Sequence, residues 1–395
     1  MTKIVDIEDI RKKREKKEIG IPIENINKKE LKRRGHEIGD ILGCDEKGEE
    51  ICVRKGKGNL YVDGDMEKEQ LFDFMRSQIY QNIQRGDSMV IVDLGSRIYK
   101  RELWIYLTIH GYRVDSYNMD CMTESDCFNC LDGLGAENEE QIVMIANDII
   151  DDQKYKFMTY PVETACKALL SAVLLASLTE MEESDRNMLE IATIFRLGVS
   201  GTMLDKILHV MFEELDETSS AKQLFAMYSE AEEGIRMEAI QKIGNALAVY
   251  EKRANGSLCD NFRTNRYDME MPVKEKSVLF IESGQLPEDK VLFSVFMERL
   301  YDSMLKKAEE RQQDVTVMLL DYPYYGGLCG LEKYMEEGPE KGICTTLYED
   351  DRKLDGSGYA PHLVELYSLC DISVCIKDTE IPLCEIEKCE NPVTG

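Results

Sequence analysis

The sequence predicts an α/β protein whose mostly parallel sheet is flanked by helices, and residues 86–134 carry most of this prediction. An apolar run in this stretch stops at Asp93, as a strand buried on both faces stops before a turn. A helical pattern then covers 97–110, and Gly111 stands where a left-handed cap is expected. A strand pattern at 112–117 completes a crossover unit. Such units build parallel sheets with ligand sites at the carboxyl ends of the strands.

The rest of the chain extends this pattern. Further strand patterns lie at 277–281, 315–321, 342–347 and 371–376. Core-helix patterns lie at 137–150, 161–178 and 290–309. From 182 to 254 the patterns are helical only, at 188–197, 202–215, 219–232 and 234–251. We therefore expect a basic mobile leader at 1–35, an α/β domain divided between 36–181 and 255–395, and an all-α insertion domain at 182–254.

Composition places the chain among soluble globular proteins. Its 395 residues, of which 43% are hydrophobic, suit two domains or one large domain with an insert. The longest apolar segment, 168–178, is too short to cross a bilayer and is interpreted as a buried helix, so no transmembrane segment is expected. The first residues lack the apolar core of a signal peptide, and we expect a cytoplasmic protein.

Neither cysteine nor histidine indicates a catalytic or metal site. The thirteen cysteines are expected to be reduced thiols, because the sequence shows no export signal. Cys127 and Cys130 form a C-x-x-C pair with no second pair at metal-ligand spacing, so ordinary thiols are favoured over a zinc site. The four histidines are scattered and form no nucleophile arrangement.

The charge disfavours a broad nucleic-acid surface. With 49 basic and 76 acidic residues the net charge is -27, which repels a phosphate backbone. Residues 1–34 carry twelve basic and seven acidic residues; they either touch DNA or an anionic membrane or, as we favour, form a solvated arm. The helical segment 182–254 carries fourteen acidic and eight basic residues. It suits a protein contact better than DNA, with a plain bundle packed on the main domain as the alternative.

One ordered set of residues resembles a known family. The set follows the patterns GDSxxxxDPKGELY, GYxVxxxNL and SxxFNPL, and its members are Gly86, Asp87, Ser88, Asp93, Tyr99, Gly111, Tyr112, Val114, Asn118, Ser125, Phe128, Asn129 and Leu131. The stretch resembles the TraG/TraD-type coupling proteins of conjugation and type IV secretion. The family's Pro-Lys-Gly-Glu after the aspartate is replaced by residues 94–97, Leu-Gly-Ser-Arg, and the family's N-terminal membrane helices have no counterpart here.

The resemblance implies a RecA-like P-loop NTPase fold with an all-α insertion. It places a short entry strand at 40–43, with a hairpin partner at 51–53, and the strand that leads into the phosphate loop at 59–64. A working loop, G-x-x-x-x-G-K-[ST], needs a second glycine, a lysine for the terminal phosphates and a hydroxyl for magnesium. Aligned from Gly64, these three positions hold Glu69, Gln70 and Leu71.

The other nucleotide positions that the resemblance implies are also replaced. Asp321 ends an apolar strand, as a Walker B aspartate does, but the catalytic glutamate that should follow is Tyr322, whose phenol is no base at neutral pH. The family's sensor glutamine is Tyr348 here. Together with Asp93 and the loop residues, these positions form what we interpret as a vestigial nucleotide pocket. Five replacements in one direction predict a pseudo-ATPase without a cofactor.

We therefore expect a catalytically inactive relative of the coupling proteins, acting through protein contacts in DNA transfer by a mobile element. A relaxase or an active motor subunit is the expected partner, nucleic-acid binding is expected to be weak or indirect, and an oligomer is compatible with the family's hexameric rings. The alternative is an active DNA-translocating ATPase with a non-standard phosphate loop, in which Lys68 replaces the missing lysine. A mobile-element remnant with a stable fold is the third hypothesis.

Overall fold

The described part of the chain divides into two compact units. The computed structural model describes residues 18–20, 41–45, 50–52, 58–64, 68–93, 98–119, 121, 125–151, 158–196, 201–253, 260–282, 289–320, 330–348, 366–377 and 383–388. Unit 1 comprises Met1–Ser116, Met269–Glu282 and Leu300–Gly395, and unit 2 comprises Tyr117–Asp268 and Ser283–Arg299.

Among the described residues, eleven strands form one sheet. They are β1 (Glu18–Gly20), β2 (Ile41–Asp45), β3 (Glu50–Cys52), β4 (Asn59–Gly64), β5 (Ser88–Asp93), β6 (Arg113–Asn118), β7 (Ser277–Glu282), β8 (Val315–Leu320), β9 (Ile343–Tyr348), β10 (Cys370–Lys377) and β11 (Leu383–Lys388). Their order is β3-β2-β1-β11-β10-β4-β9-β8-β5-β7-β6. The predicted strand segments at 59–64, 277–281, 315–321, 342–347 and 371–376 are confirmed within two residues at each end.

The helices of the described chain follow the apolar periodicities of the sequence. They are α1 (Lys68–Arg85), α2 (Ile98–Ile109), α3 (Glu139–Asp151), α4 (Tyr160–Glu180), α5 (Met188–Arg196), α6 (Gly201–Glu213), α7 (Ser220–Ser229), α8 (Glu233–Arg253), α9 (Asp260–Arg263), α10 (Met271–Lys274), α11 (Asp289–Lys307) and α12 (Leu331–Glu337). The four helices predicted between 182 and 254 are α5 to α8, and no strand interrupts them in the described residues of that range.

Six neighbouring strands, from β10 to β7 in sheet order, run parallel. Every residue of β5 and β7 is buried, because a parallel sheet is covered on both faces and its strands are therefore largely apolar. The predicted crossover elements β5, α2 and β6 all form, and Gly111 ends α2 at φ 78° as a left-handed cap. The crossover skips one position, since β7 lies between β5 and β6.

The far edge of the sheet is antiparallel. The predicted hairpin at 40–43 and 51–53 appears as β2 and β3, which pair antiparallel. Within the expected leader, Glu18–Gly20 forms β1, which pairs with β2 and with β11 near the carboxyl end of the chain. A strand therefore stands at residues 18–20, where the sequence indicated only a polar arm, because its partners supply the hydrogen bonds that the segment cannot make alone. The rest of the leader lies outside the described residues.

The start of β4 is held by one buried amide. Asn59 donates from Nδ2 to the carbonyl oxygens of Met335 (2.6 Å) and Leu369 (3.1 Å), and its Oδ1 accepts the backbone N–H of Thr345 (2.9 Å). Its side chain thereby joins β4 to β9, to α12 and to the turn before β10, all within unit 1. Beyond this anchor, apolar residues of α1 and α2, among them Phe74, pack on the sheet.

Unit 2 is built around α4. The sequence indicated an apolar segment at 168–178 too short to cross a bilayer, but the helix has 21 residues and is long and apolar enough to do so by length and composition alone. The helix extends beyond the apolar segment at both ends, because residues 160–167 and 179–180, which include polar and charged side chains, are also helical. However, 72% of its most apolar stretch is buried inside the protein, as in the core helix of a globular unit.

We predict that Asn59→Ala lowers the free energy of unfolding of unit 1 by about 2–4 kcal/mol, because three hydrogen bonds are lost and their buried backbone partners stay behind unsatisfied. Urea unfolding followed through Trp104, the single tryptophan and part of unit 1, measures this change. The exposed Gln312→Ala serves as control, with an expected change within about 0.5 kcal/mol. An Asn59→Ala variant as stable as the control would contradict the assignment of the anchor.

Candidate nucleotide-binding edge of the sheet

The carboxyl ends of the parallel strands lie at one edge of unit 1. Tyr348, the last residue of β9, is in register with Val62 of β4 on one side and with Leu320 of β8 on the other. Farther along the edge, Asp93 at the end of β5 is in register with Glu282 at the end of β7. Ligands of open parallel sheets bind outside such carboxyl ends. The predicted pocket residues on β4, β5 and β9 are therefore brought to a common edge.

A strand and a helix flank the predicted phosphate loop. Strand β4 ends at Gly64 and α1 begins at Lys68, with residues 65–67 outside the described chain. Glu69, Gln70 and Leu71 therefore belong to the first turn of α1. A helix N-terminus attracts phosphate through its free N–H groups and its dipole.

The aromatic residue at the predicted sensor position is part of the core. Tyr348 is fully buried, and its ring meets Phe74 of α1 edge to face, with 6.4 Å between the ring centroids. Val62 and Leu320, its neighbours in register, belong to the same apolar cluster. A side chain held in this way is packed between the sheet and α1, where it contributes apolar burial.

The Walker B segment is only partly described. Strand β8 ends at Leu320, so Asp321 and Tyr322 follow directly after the strand but lie outside the described residues. Their predicted roles stay predictions. The register of β8 with β9 nevertheless fixes where the chain leaves the sheet, beside Tyr348.

An ion-pair cluster that sequence reasoning missed lies at the same edge. Lys100 of α2 donates from Nζ to Glu282 Oε2 (2.8 Å) and to Ser116 Oγ (2.9 Å), and the Ser116 hydroxyl donates to the same carboxylate oxygen (2.9 Å). Glu282 is buried and Lys100 is largely buried. The cluster therefore joins α2 to β6 and β7 and compensates a carboxylate that would otherwise be costly inside the protein. The signal that could have indicated it is Glu282 itself, which follows an apolar run as Asp93 does.

Comparison with solved structures identifies the fold. No family model and no curated protein matches the chain. The bacterial conjugative coupling protein TrwBΔN70, in its unbound monoclinic form, is similar over 91% of this chain and 76% of its own, with a TM-score of 0.60 and 15% identity. The chain shares the fold of a conjugative coupling protein.

Two nucleotide complexes of the same protein agree with this result. TrwB with the non-hydrolysable ATP analogue ADPNP matches at a TM-score of 0.60 and 15% identity, and covers 91% of this chain and 78% of its own. TrwB with ADP and Mg2+ matches at 0.57 and 13%, over 91% and 79% of the two chains. The prediction of a RecA-like α/β fold, with a mostly parallel sheet flanked by helices, is therefore confirmed.

The C-x-x-C pair lies in unit 2. Cys127 and Cys130 are both buried free thiols. Burial raises the pKa of the Cys130 thiol from 9.0 to about 12, so this thiol stays protonated and unreactive at neutral pH. Among the described residues, no group of three or more His, Cys, Asp or Glu side chains could hold a metal ion.

We predict that Lys100→Met lowers the free energy of unfolding of unit 1 by about 2–4 kcal/mol, because Glu282 keeps a buried charge without its ammonium partner. The double variant Lys100→Met/Glu282→Gln should recover part of the loss, since the charge is removed as well. Urea unfolding through Trp104 fluorescence measures both. Lys306→Met is the matched control, because its pair with Asp302 is exposed on the lysine side and should contribute less than about 1 kcal/mol. If Lys100→Met lowers the free energy of unfolding by no more than the control does, the result would contradict a structural role of the cluster.

Proposed function

We propose that this chain is a non-hydrolysing relative of the conjugative coupling proteins, which acts in conjugation or type IV secretion by contacting other proteins. The observation that carries the proposal is the burial of Tyr348, which stands where the resemblance places the sensor glutamine and which packs into the core between sheet and helix. A glutamine that senses nucleotide must reach the ligand, and a core tyrosine does not. In this proposal the chain keeps the fold of a motor protein, while the position of one catalytic residue is taken by a tyrosine that packs in the core.

Charge at the phosphate-loop position supports the same proposal. From Asp65 to Glu69 the sequence carries three acidic residues and one lysine, where a triphosphate with its own negative charge would lie. Like charges a few ångströms apart repel, and the lysine and hydroxyl that normally hold phosphate and magnesium are Gln70 and Leu71. Both the attraction and the metal ligand are therefore missing from the expected place.

The partners we propose are a relaxase or an active motor subunit of the same conjugative element, met in the cytoplasm. The net charge of -27 makes direct nucleic-acid binding weak, so a protein contact is the favoured way to join a DNA-transfer complex. The acidic helices α5 to α8 offer the surface for this contact.

The alternative function is an active DNA-translocating ATPase. The observation in its favour is that α1 begins at Lys68, so a lysine stands at the helix N-terminus where phosphate would bind. This hypothesis requires Lys68 to replace the lysine of the phosphate loop, whose normal position, residue 70, is two residues farther along the chain.

We predict that titration of the chain with ATP and Mg2+, or with a slowly hydrolysed analogue, gives no heat and no thermal shift up to millimolar nucleotide, because the loop lacks its phosphate and magnesium ligands. The matched variant Glu69→Gly/Gln70→Lys/Leu71→Thr restores the loop and should bind nucleotide. Micromolar binding by the unaltered chain, with DNA-stimulated phosphate release that disappears in Lys68→Ala, would establish the alternative instead.

We predict that the relaxase or motor of the same element is retained by the chain in a pull-down at low salt. The triple variant Glu213→Lys/Glu214→Lys/Glu217→Lys, which reverses exposed charges of the helical region, should lose most of the retained partner. Reversal of three exposed glutamates of unit 1, Glu309, Glu310 and Glu336, is the control and should leave the partner bound. If the unaltered chain retains neither a relaxase nor a motor subunit, the result would count against a contact function.

A further inference from the structure

Helix α6 (Gly201–Glu213) is apolar on two faces. Leu204, Leu208 and Phe212 are buried against the rest of unit 2. Another set of apolar side chains, spaced i, i+4, i+7 and i+8, is turned to solvent: Met203, Ile207, Val210 and Met211, with exposed fractions of 53%, 38%, 59% and 52%. We call this set the α6 stripe. A helix that is apolar beyond its buried face presents a surface suited to a partner.

The helix that carries the stripe is held firmly, so the surface is preformed. Buried Asp205 accepts hydrogen bonds from the Tyr228 hydroxyl (2.7 Å) and from the Arg236 guanidinium (3.1 and 3.2 Å), which ties α6 to α7 and α8. Phe212 stacks on Phe225 with 4.2 Å between ring centroids. Binding to such a surface loses little conformational entropy in this chain.

The surroundings of the stripe are strongly acidic. Between residues 201 and 233 the exposed charged side chains are Lys206 and seven carboxylates, which are Glu213, Glu214, Asp216, Glu217, Glu230, Glu232 and Glu233. Lys222 does not offset them, because its ammonium donates to the carbonyl oxygens of Glu213 and Leu215 and to the Glu217 carboxylate. In this range of unit 2 the exposed carboxylates therefore outnumber the exposed basic side chain, Lys206, by seven to one.

This charge decides between possible occupants. An anionic lipid surface and a nucleic acid would both be repelled. A second copy of the chain would bring the same carboxylates against each other, and like charges at an interface cost affinity. A segment with an apolar face and flanking lysine or arginine residues matches both the apolar side chains of the stripe and the carboxylates of this region. An α-helix is the form in which such a segment presents one apolar face at this spacing.

We propose that the α6 stripe binds an amphipathic, basic helix of a partner protein. This inference rests on the proposed contact function and adds the face and the chemistry of the partner. Methionine suits the role, because its flexible thioether side chain adapts to different apolar residues. The stripe covers residues 203–211, so about two turns of a partner helix would lie along it.

A groove beside the stripe fits the basic flank. It has a volume of about 330 Å³, and Phe212, Glu213, Lys222, Phe225 and Glu230 are among the residues that line it. Lysine and arginine place their apolar stems on such aromatic surface and their charged ends beside carboxylates. Glu213 and Glu230 supply the carboxylates here, while Phe212 and Phe225 supply the aromatic wall.

The test uses two synthetic 18-residue helical peptides with the same leucine pattern, one with lysine and one with glutamate on the polar face. Fluorescence anisotropy with the full chain at 0.15 M salt should detect the lysine peptide with at least tenfold tighter binding than the glutamate peptide. Met203→Ser/Val210→Ser should weaken the lysine peptide at least tenfold. The matched control, Ile105→Ser/Ile109→Ser, removes exposed apolar residues of α2 and should change nothing. Circular dichroism verifies that both variants are folded.

Three outcomes would overturn the proposal. The first is the failure of the stripe to contribute to binding. Either the lysine peptide does not bind at all, or it binds the stripe variant as tightly as the unaltered chain, and the second result would mean that charge attraction alone holds the peptide. The second is tighter binding of a peptide of residues 1–17 to the same stripe, which would make the chain's own segment the occupant. The third is a dimer in sedimentation that disappears with the stripe variant, which would assign the face to a second copy. If the peptides fail but the pull-down partner is still lost on charge reversal, the proposed function stands and only the stripe assignment falls.

Discussion

Unit 1 depends on the geometry of its parallel sheet. Such a sheet must be covered on both faces, and the carboxyl ends of all its parallel strands lie at one edge. The first requirement explains why β5 and β7 are buried at every position. The second brings Asp93, Glu282 and Tyr348 to one row, although these residues come from distant parts of the chain. Polar groups at this row then need partners, and the Lys100 and Ser116 contacts to Glu282 meet that need inside the protein.

Much of the fold could be predicted because long apolar runs and helical periodicities are local properties. Strands such as β8 and helices such as α2 follow from them directly. Pairing is not local, so the insertion of β7 between β5 and β6 could not be predicted from either segment. Strands β1 and β11 are short and carry charged residues, and their pairing with each other and with β2 and β10 makes them strands.

The candidate site divides in the same way. The position of Asp93 at a strand end follows from the apolar run before it, while the strand that ends at Gly64 and the place of Tyr348 after a strand came from the family resemblance. The cluster of Lys100, Ser116 and Glu282 could not be predicted, because it joins three elements whose order in the sheet was unknown. The burial of Tyr348 was equally hidden, as a tyrosine at a strand end points to solvent or to core according to the helix packed on it.

The amide of Asn59 has a consequence for how the chain is made. Its partners lie 276, 286 and 310 residues farther on, so the strand at the centre of the sheet has no neighbour until most of the chain has left the ribosome. Until β9 and β10 arrive, β4 carries unpaired backbone edges and exposed apolar faces, which are the features that chaperones bind and that drive aggregation. Completion of the sheet therefore depends on contacts of very high sequence separation, which form more slowly than local contacts.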